Sequence, residues 1–287
     1  MPSAGGYSYS DSVKSGISDE LINTYLLRPA AGLIVRLLYA TPVTPNQVTA
    51  ASVLAGLAAA SLYLAHSSPA TFAAGLCITA KDLLDSADGQ LARAKGMYSR
   101  AGRFLDSIGD FVVNLAVFTS IAIVMIGTPA YGFLALAGFL GISLRVSYHV
   151  FYQTAFLHLE GSYLTNRLTE EILEEDLRGD PRALLAQQIF RILYGWQDAL
   201  MLRIDRWSRG AGFPSREQEQ RWHADPAALR LSSFLGIGTE LFLLTLCSLA
   251  GNLEVYLWLN LLLMNAIWGV SVGYRRVVLR RRVFGAR

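Results

Sequence analysis

Residues 81–110 read KDLLDSADGQLARAKGMYSRAGRFLDSIGD, and the rest of the chain is read outward from them. The stretch sets Asp82, Asp85, Asp88, Asp106 and Asp110 among residues that otherwise have the composition of membrane-spanning helix. A charge at the bilayer centre costs about 2.5–3.5 kcal/mol even on the lenient insertion scale, so acids in such a setting are read as functional. Their spacing is helical. Asp85 and Asp88 are i, i+3 neighbours with Ala92 continuing the stripe, and Gly102, Asp106 and Asp110 are successive i, i+4 neighbours on the next helix. At about 1.5 Å rise per residue, each acid pair spans roughly 4.5–6 Å along its axis. Two helices packed antiparallel through a turn at 95–99 would bring four carboxylates face to face, and that requires a cation.

Oxygen-only ligands suit Mg²⁺, Mn²⁺ or Ca²⁺ rather than zinc, which takes nitrogen and sulfur. Four carboxylates accommodate two ions about 3.5–4 Å apart, the arrangement that serves phosphoryl chemistry. Gly89 and Gly102 leave room for a ligand to approach the backbone, and Arg93 lies one turn beyond Gly89, within reach of phosphate oxygens.

Written out, the pattern is Asp85-x2-Asp88-Gly89-x2-Ala92-Arg93-x8-Gly102-x3-Asp106-x3-Asp110. Every fixed position matches the signature of the CDP-alcohol phosphotransferases, integral membrane enzymes of phospholipid synthesis, and the chain resembles that family. The resemblance implies transfer of a substituted phosphate group from a CDP-activated alcohol to the hydroxyl of a second alcohol, with release of CMP. It implies Asp85, Asp88 and Asp106 as ligands of two Mg²⁺ or Mn²⁺ ions, and Asp110 as the general base, able also to touch a metal. Gly89, Ala92, Arg93 and Gly102 would border the nucleotide, with Asn46 a weaker candidate. A homodimer is the family expectation. Asp82 also forms an Asp-x2-Asp pair with Asp85, but Ser86 then stands where the glycine belongs. Asp82 is therefore expected outside the ligand set, behind it or at the surface.

Of 287 residues, 53% are hydrophobic and 16% charged, the composition of an all-α, polytopic membrane helical bundle. Cys77 and Cys247 both lie in apolar runs and are read as small buried hydrophobes. Residues 1–46 are expected to form a polar, disordered tail (1–16) and an amphipathic helix, lying on the membrane surface or packed on the ends of the bundle. Thr44-Pro45-Asn46-Gln47 forms a capping box that starts the first span. Residues 47–158 carry transmembrane helices 1–4 (about 47–65, 69–93, 100–126 and 131–157), 159–227 a cytoplasmic helical insert, and 228–287 helices 5 and 6 (231–250 and 253–272) with a basic tail. Six spans of about 20 residues fit the bilayer. The insert is expected to form two or three amphipathic helices broken at 179–181 and 210–214, with Trp196, Trp207 and Trp222 at headgroup level.

The short loops 67–69, 127–130 and 251–253 contain no lysine or arginine. The positive-inside rule then places both termini, the insert and the acid motif in the cytoplasm, and the plasma membrane is the expected host. Within the fourth span, Arg145 and His149 share a face. An intramembrane arginine needs a partner: a motif aspartate, Glu240, or an anionic acceptor. Arg145 and His149 are thus candidate acceptor-binding residues, with a structural ion pair as the alternative for Arg145, and Lys95, Arg100 and Arg103 at the mouth would attract an anion.

CDP-diacylglycerol is the preferred donor, since a membrane site suits a lipid entering sideways; the converse is CDP-choline or CDP-ethanolamine with diacylglycerol as acceptor. Membrane lipids are the other partners, and nothing in the chain points to nucleic acid. Two more distant classes share intramembrane acids. Membrane prenyltransferases carry their acidic motifs in separate regions, and a divalent-cation transporter would need acids at the outer end as well.

Overall fold

The computed structural model describes residues 19–125, 129–161, 170–210 and 212–285. The disorder expected over 1–16 lies outside them, as do parts of the 127–130 loop and of the insert. A widened turn at Asn23–Leu27 leads into α1 (Arg28–Leu38). Next comes α2 (Pro45–Leu64), where the Thr44 N–H donates to Gln47 Oε1 at 2.9 Å, as the capping-box reading requires. Helix α3 (Ser68–Ala94) turns into α4 (Arg100–Val124), whose Gly102 N–H donates to Ser99 Oγ at 3.0 Å. Then follow α5 (Pro129–Leu159), a single turn at Glu174–Leu177, and α6 (Pro181–Arg209). Asp180 caps α6 by accepting from the Arg182 N–H, and Gly210 stops it with φ 76°. The breaks at 179–181 and 210–214 thus fall where the sequence puts them. Helices α7 (Arg216–His223), α8 (Pro226–Ser233), α9 (Ile237–Leu249) and α10 (Leu253–Phe284) complete the fold. No strand occurs among the described residues.

Five helical stretches are long and apolar enough to cross a membrane: Pro45–Leu64, Arg100–Val124, Ala130–Leu159, Pro226–Leu249 and Leu253–Phe284. The expected second of six spans is present as the unbroken helix α3, but it is not among the five. Its C-terminal half carries Lys81, Asp82, Asp85, Asp88 and Arg93, which leaves too short an apolar run. The expected fifth span is divided at 234–236 into α8 and α9. The basic tail also departs from expectation, because α10 continues through it to Phe284.

Helix α2 is the spine of the site. Helices α3 and α4 each make their extensive packing against α2 rather than against one another, so the motif helices straddle α2 and leave a gap between them. A Cβ at Gly109 of α4 would lie 2.6 Å from Val53 Cγ2 of α2, so only glycine permits this crossing. In a bilayer, apolar contact alone does little to drive helices together, and close packing with interhelical hydrogen bonds carries more of the load. Tyr63 Oη lies 2.6 Å from Ser248 Oγ, Thr79 Oγ1 3.2 Å from Thr245 Oγ1, and Ser52 Oγ donates to the Lys81 carbonyl at 3.0 Å. Helix α1 lays Ala31 and Val35 on Val48, Ala87 and Leu91, which holds the N-terminal end of α2 and the C-terminal end of α3 together.

Arg145 is fully buried between α5, α9 and α10. Its Nε donates to Glu240 Oε1 at 2.7 Å and its Nη1 to Asn265 Oδ1 at 2.9 Å; Asn260 Nδ2 donates to Glu240 Oε2 at 3.1 Å. Asn260 and Asn265 are five apart, roughly 140° around a regular helix. The widened turn at Leu259–Met264 brings both amides to the ion pair.

Helix α6 packs along α4 and α5. Phe190 lies 5.1 Å from Phe104 ring to ring, Tyr194 Oη donates to the Ser107 carbonyl at 2.8 Å, and Ser147 Oγ donates to Gln197 Oε1 at 2.6 Å. Further along, Asp205 accepts from Tyr152 Oη and Trp222 Nε1, and the Arg275 guanidinium covers the Tyr152 ring at 3.4 Å. Trp222 is fully buried, so it does not sit at headgroup level as expected; Trp196 and Trp207 are exposed.

Candidate active site

Helices α3 and α4 converge their acids across the gap beside α2. Asp85, Asp88 and Asp106 each offer a carboxylate oxygen within 4.8 Å of the others. Thr49 of α2 donates a short hydrogen bond to Asp88 Oδ2 and fixes that carboxylate. Asp106 Oδ1 is buried and has no hydrogen-bond partner among the described residues. Three clustered carboxylates, one with an orphaned oxygen and none with a nitrogen or sulfur neighbour in the group, fit a hard divalent cation. Asp110 is not one of that group of three. It is ion-paired with Lys81, whose Nζ is also 3.5 Å from Asp85 Oδ1.

A cavity of about 390 Å³ opens on these acids. Pro45, Asn46 and Thr49 of α2, Gly89, Ala92 and Arg93 of α3, and Gly102 of α4 line one side. Asn46 Oδ1 lies over Gly102, where a Cβ would come within 3.3 Å of it. Ser143, Ser147, His149 and Gln153 of α5, with Phe190, Tyr194 and Asp198 of α6, line the other. Burial, with Glu170 adding to it, pushes the Asp198 carboxyl up to about 7.

Both motif helices fall inside residues 42–167, which match the family model described as CDP-alcohol phosphatidyltransferase. That segment is similar to the CDP-alcohol phosphatidyltransferase family. Members of the family are phosphotransferases that use a divalent metal. Two curated relatives carry the name "Bifunctional IPC transferase and DIPP synthase". The protein of Thermococcus kodakarensis is 35% identical over 133 residues, 46% of this chain and 29% of its own length. That of Aquifex aeolicus is 32% identical over 135 residues, 46% of this chain and 30% of its own. The chain thus matches less than a third of the length of these relatives.

All eight fixed positions of the family pattern line the cavity. Asp82 does not; it is buried, so the expectation of a place behind the ligands fits it and a surface place does not. Arg145 does not line the cavity either, being engaged by Glu240 and Asn265, whereas His149 is buried in the cavity wall. The cations expected to draw an anion at the mouth are bound to protein. Arg100 pairs with Glu170 and Asp176 at 2.6 Å each, Arg103 pairs with Glu170, and Lys95 Nζ donates to the carbonyls of Thr41 and Val43 at 2.8 and 2.7 Å.

Thr49, Lys81, Tyr194 and Asp198 were missed from sequence. Lys81 had a legible signal, standing i, i+4 before Asp85. So did the insert, where Phe190, Tyr194 and Asp198 repeat every four residues on one face of α6. A second unexpected feature is the strap before α1. Asp19 pairs with Arg28 at 2.9 Å, and Glu20 Oε2 accepts the Thr239 N–H at 3.0 Å. That places a carboxylate at the N-terminus of α9, the end of a helix that favours it.

Proposed function

We propose that this chain is a membrane phosphotransferase that moves a substituted phosphate group from a CDP-activated alcohol to the hydroxyl of a second alcohol and releases CMP. The observation that carries the reading is the convergence of Asp85, Asp88 and Asp106 within 4.8 Å on a cavity that also holds Arg93, Asn46 and Asp110. In the reaction, the acceptor oxygen bonds to the β-phosphorus as the bond from that phosphorus to the bridging oxygen of CMP breaks. Asp110 takes the hydroxyl proton, and CMP leaves with the bonding electron pair. Asp85, Asp88 and Asp106 hold Mg²⁺ or Mn²⁺, which when bound neutralises the diphosphate charge that would repel a nucleophile. Asn46, Gly89, Ala92, Arg93 and Gly102 border the nucleotide, with the Arg93 guanidinium directed to phosphate. His149 lies in the wall on the acceptor side.

CDP-diacylglycerol is the preferred donor, and phospholipid biosynthesis in the plasma membrane the setting, with termini and site on the cytoplasmic face. The absence of basic residues from the short loops supports that orientation. The converse assignment, CDP-choline or CDP-ethanolamine with diacylglycerol, uses the same acids. A screen of CDP-donors against alcohol acceptors with purified protein, reading CMP, tests the proposal. Acceptor-dependent CMP release is expected, and its absence with every pair overturns the reading.

A further inference from the structure

Lys81 has no part in the family pattern, yet its ammonium reaches two of the pattern's acids. It lies on α3 one turn before Asp85, 1% exposed, ion-paired with Asp110 and 3.5 Å from Asp85 Oδ1. Ser52 of α2 anchors its carbonyl. An ammonium at this depth stays charged only beside a carboxylate, and Asp110 is that carboxylate. The pairing constrains Asp110 in turn. Asp85, Asp88 and Asp106 gather their oxygens into one cluster, while the fourth acid of the pattern is turned onto Lys81.

We propose that Lys81 is a positioning residue that keeps Asp110 out of the metal-ligand set. The chain without nucleotide then holds one divalent ion on Asp85, Asp88 and Asp106, where the resemblance implies two. Four carboxylates with one divalent ion and one ammonium carry a net charge of −1. Without the ammonium the charge is −2, and Asp110 is released to complete a second ion site. Lys81 engages Asp110 Oδ1, which leaves Oδ2 for the proton of the acceptor hydroxyl. Only that last clause rests on the phosphotransferase reading.

Mn²⁺ binding to the purified full-length protein without nucleotide, followed by the EPR signal of free Mn²⁺, tests the assignment. Wild type should bind one ion per chain, and Asp110→Asn should bind one with affinity within about twofold. Lys81→Met should bind two, and Lys81→Met with Asp110→Asn should return to one. Two ions or none in wild type, or a tenfold loss of affinity in Asp110→Asn, overturns the proposal. The same holds for a Lys81→Met protein that still binds one. If Lys81→Met does not fold, wild type and Asp110→Asn decide. CMP release measured on the same preparations separates the two claims: no release from any pair removes the phosphotransferase reading and leaves the stoichiometry to stand alone.

Discussion

Replacing Arg145 by methionine separates a structural ion pair from an acceptor contact. Arg145 and Glu240 are both 0% exposed, and the guanidinium also holds Asn265. Removing the cation leaves the Glu240 carboxylate buried with one amide, Asn260, still donating to it. Breaking a buried pair in this way costs about 3–5 kcal/mol. At roughly 2–4 °C per kcal/mol for a chain of this size, the thermal midpoint should drop by about 6–20 °C. Replacing both partners, Arg145→Met with Glu240→Leu, removes the stranded charge and should recover most of the loss, because an apolar pair of similar volume is often neutral in such sites. The assay is thermal unfolding in detergent, with acceptor KM measured on each folded variant. A well-folded Arg145→Met protein with a wild-type midpoint and an acceptor KM raised tenfold would refute the structural assignment.

Asp85→Asn should abolish CMP release while Asp82→Asn retains much of it, since only Asp85 belongs to the carboxylate cluster; equal loss at both would put Asp82 among the ligands. Gly109→Ala drives a methyl to 2.6 Å from Val53 Cγ2 and should destabilise by about 1–3 kcal/mol while slowing turnover at least tenfold. Val53→Ala in the same chain should restore both, and failure to do so would detach the α2–α4 crossing from the site. His223 is buried, and its pKa is lowered to about 4 by desolvation. Neutral in the fold and charged below about pH 6.5 in the unfolded chain, it contributes a stabilisation present above pH 6.5 and lost as pH falls towards 4, about 3 kcal/mol in all. His223→Phe should flatten the fall in thermal midpoint across that window; an unchanged slope counts against it.

The acids were legible because their spacing of three and four is the helical period, and the capping box at Thr44 because it is local. What was not legible crosses the fold. Glu170 reaches Arg103 and Arg100 across nearly seventy residues, which turns an apparently attractive basic mouth into a closed set of ion pairs. Composition alone counts such arginines as free charge. The way α3 and α4 face one another across a gap was hidden for a similar reason. The turn at 95–99 fixes their order, but the glycine at 109 and the valine at 53 decide that α4 closes on α2 instead. Arg275 read as part of a basic tail, while in the fold it covers Tyr152 and donates to the Trp222 carbonyl at 2.9 Å. A tail and a continued helix differ there only in partners distant in sequence.

Clustered aspartates in the gap between α3 and α4 are proposed to carry metal-dependent transfer from a CDP-activated alcohol. The direct measurement is CMP formation by purified protein with CDP-diacylglycerol and a panel of alcohol acceptors, with Mg²⁺ or Mn²⁺ and then with excess EDTA, for wild type and Asp88→Asn. CMP is expected only when acceptor and metal are both present, with none above background from Asp88→Asn. CMP formed at the same rate in EDTA, or by Asp88→Asn, would contradict the proposal.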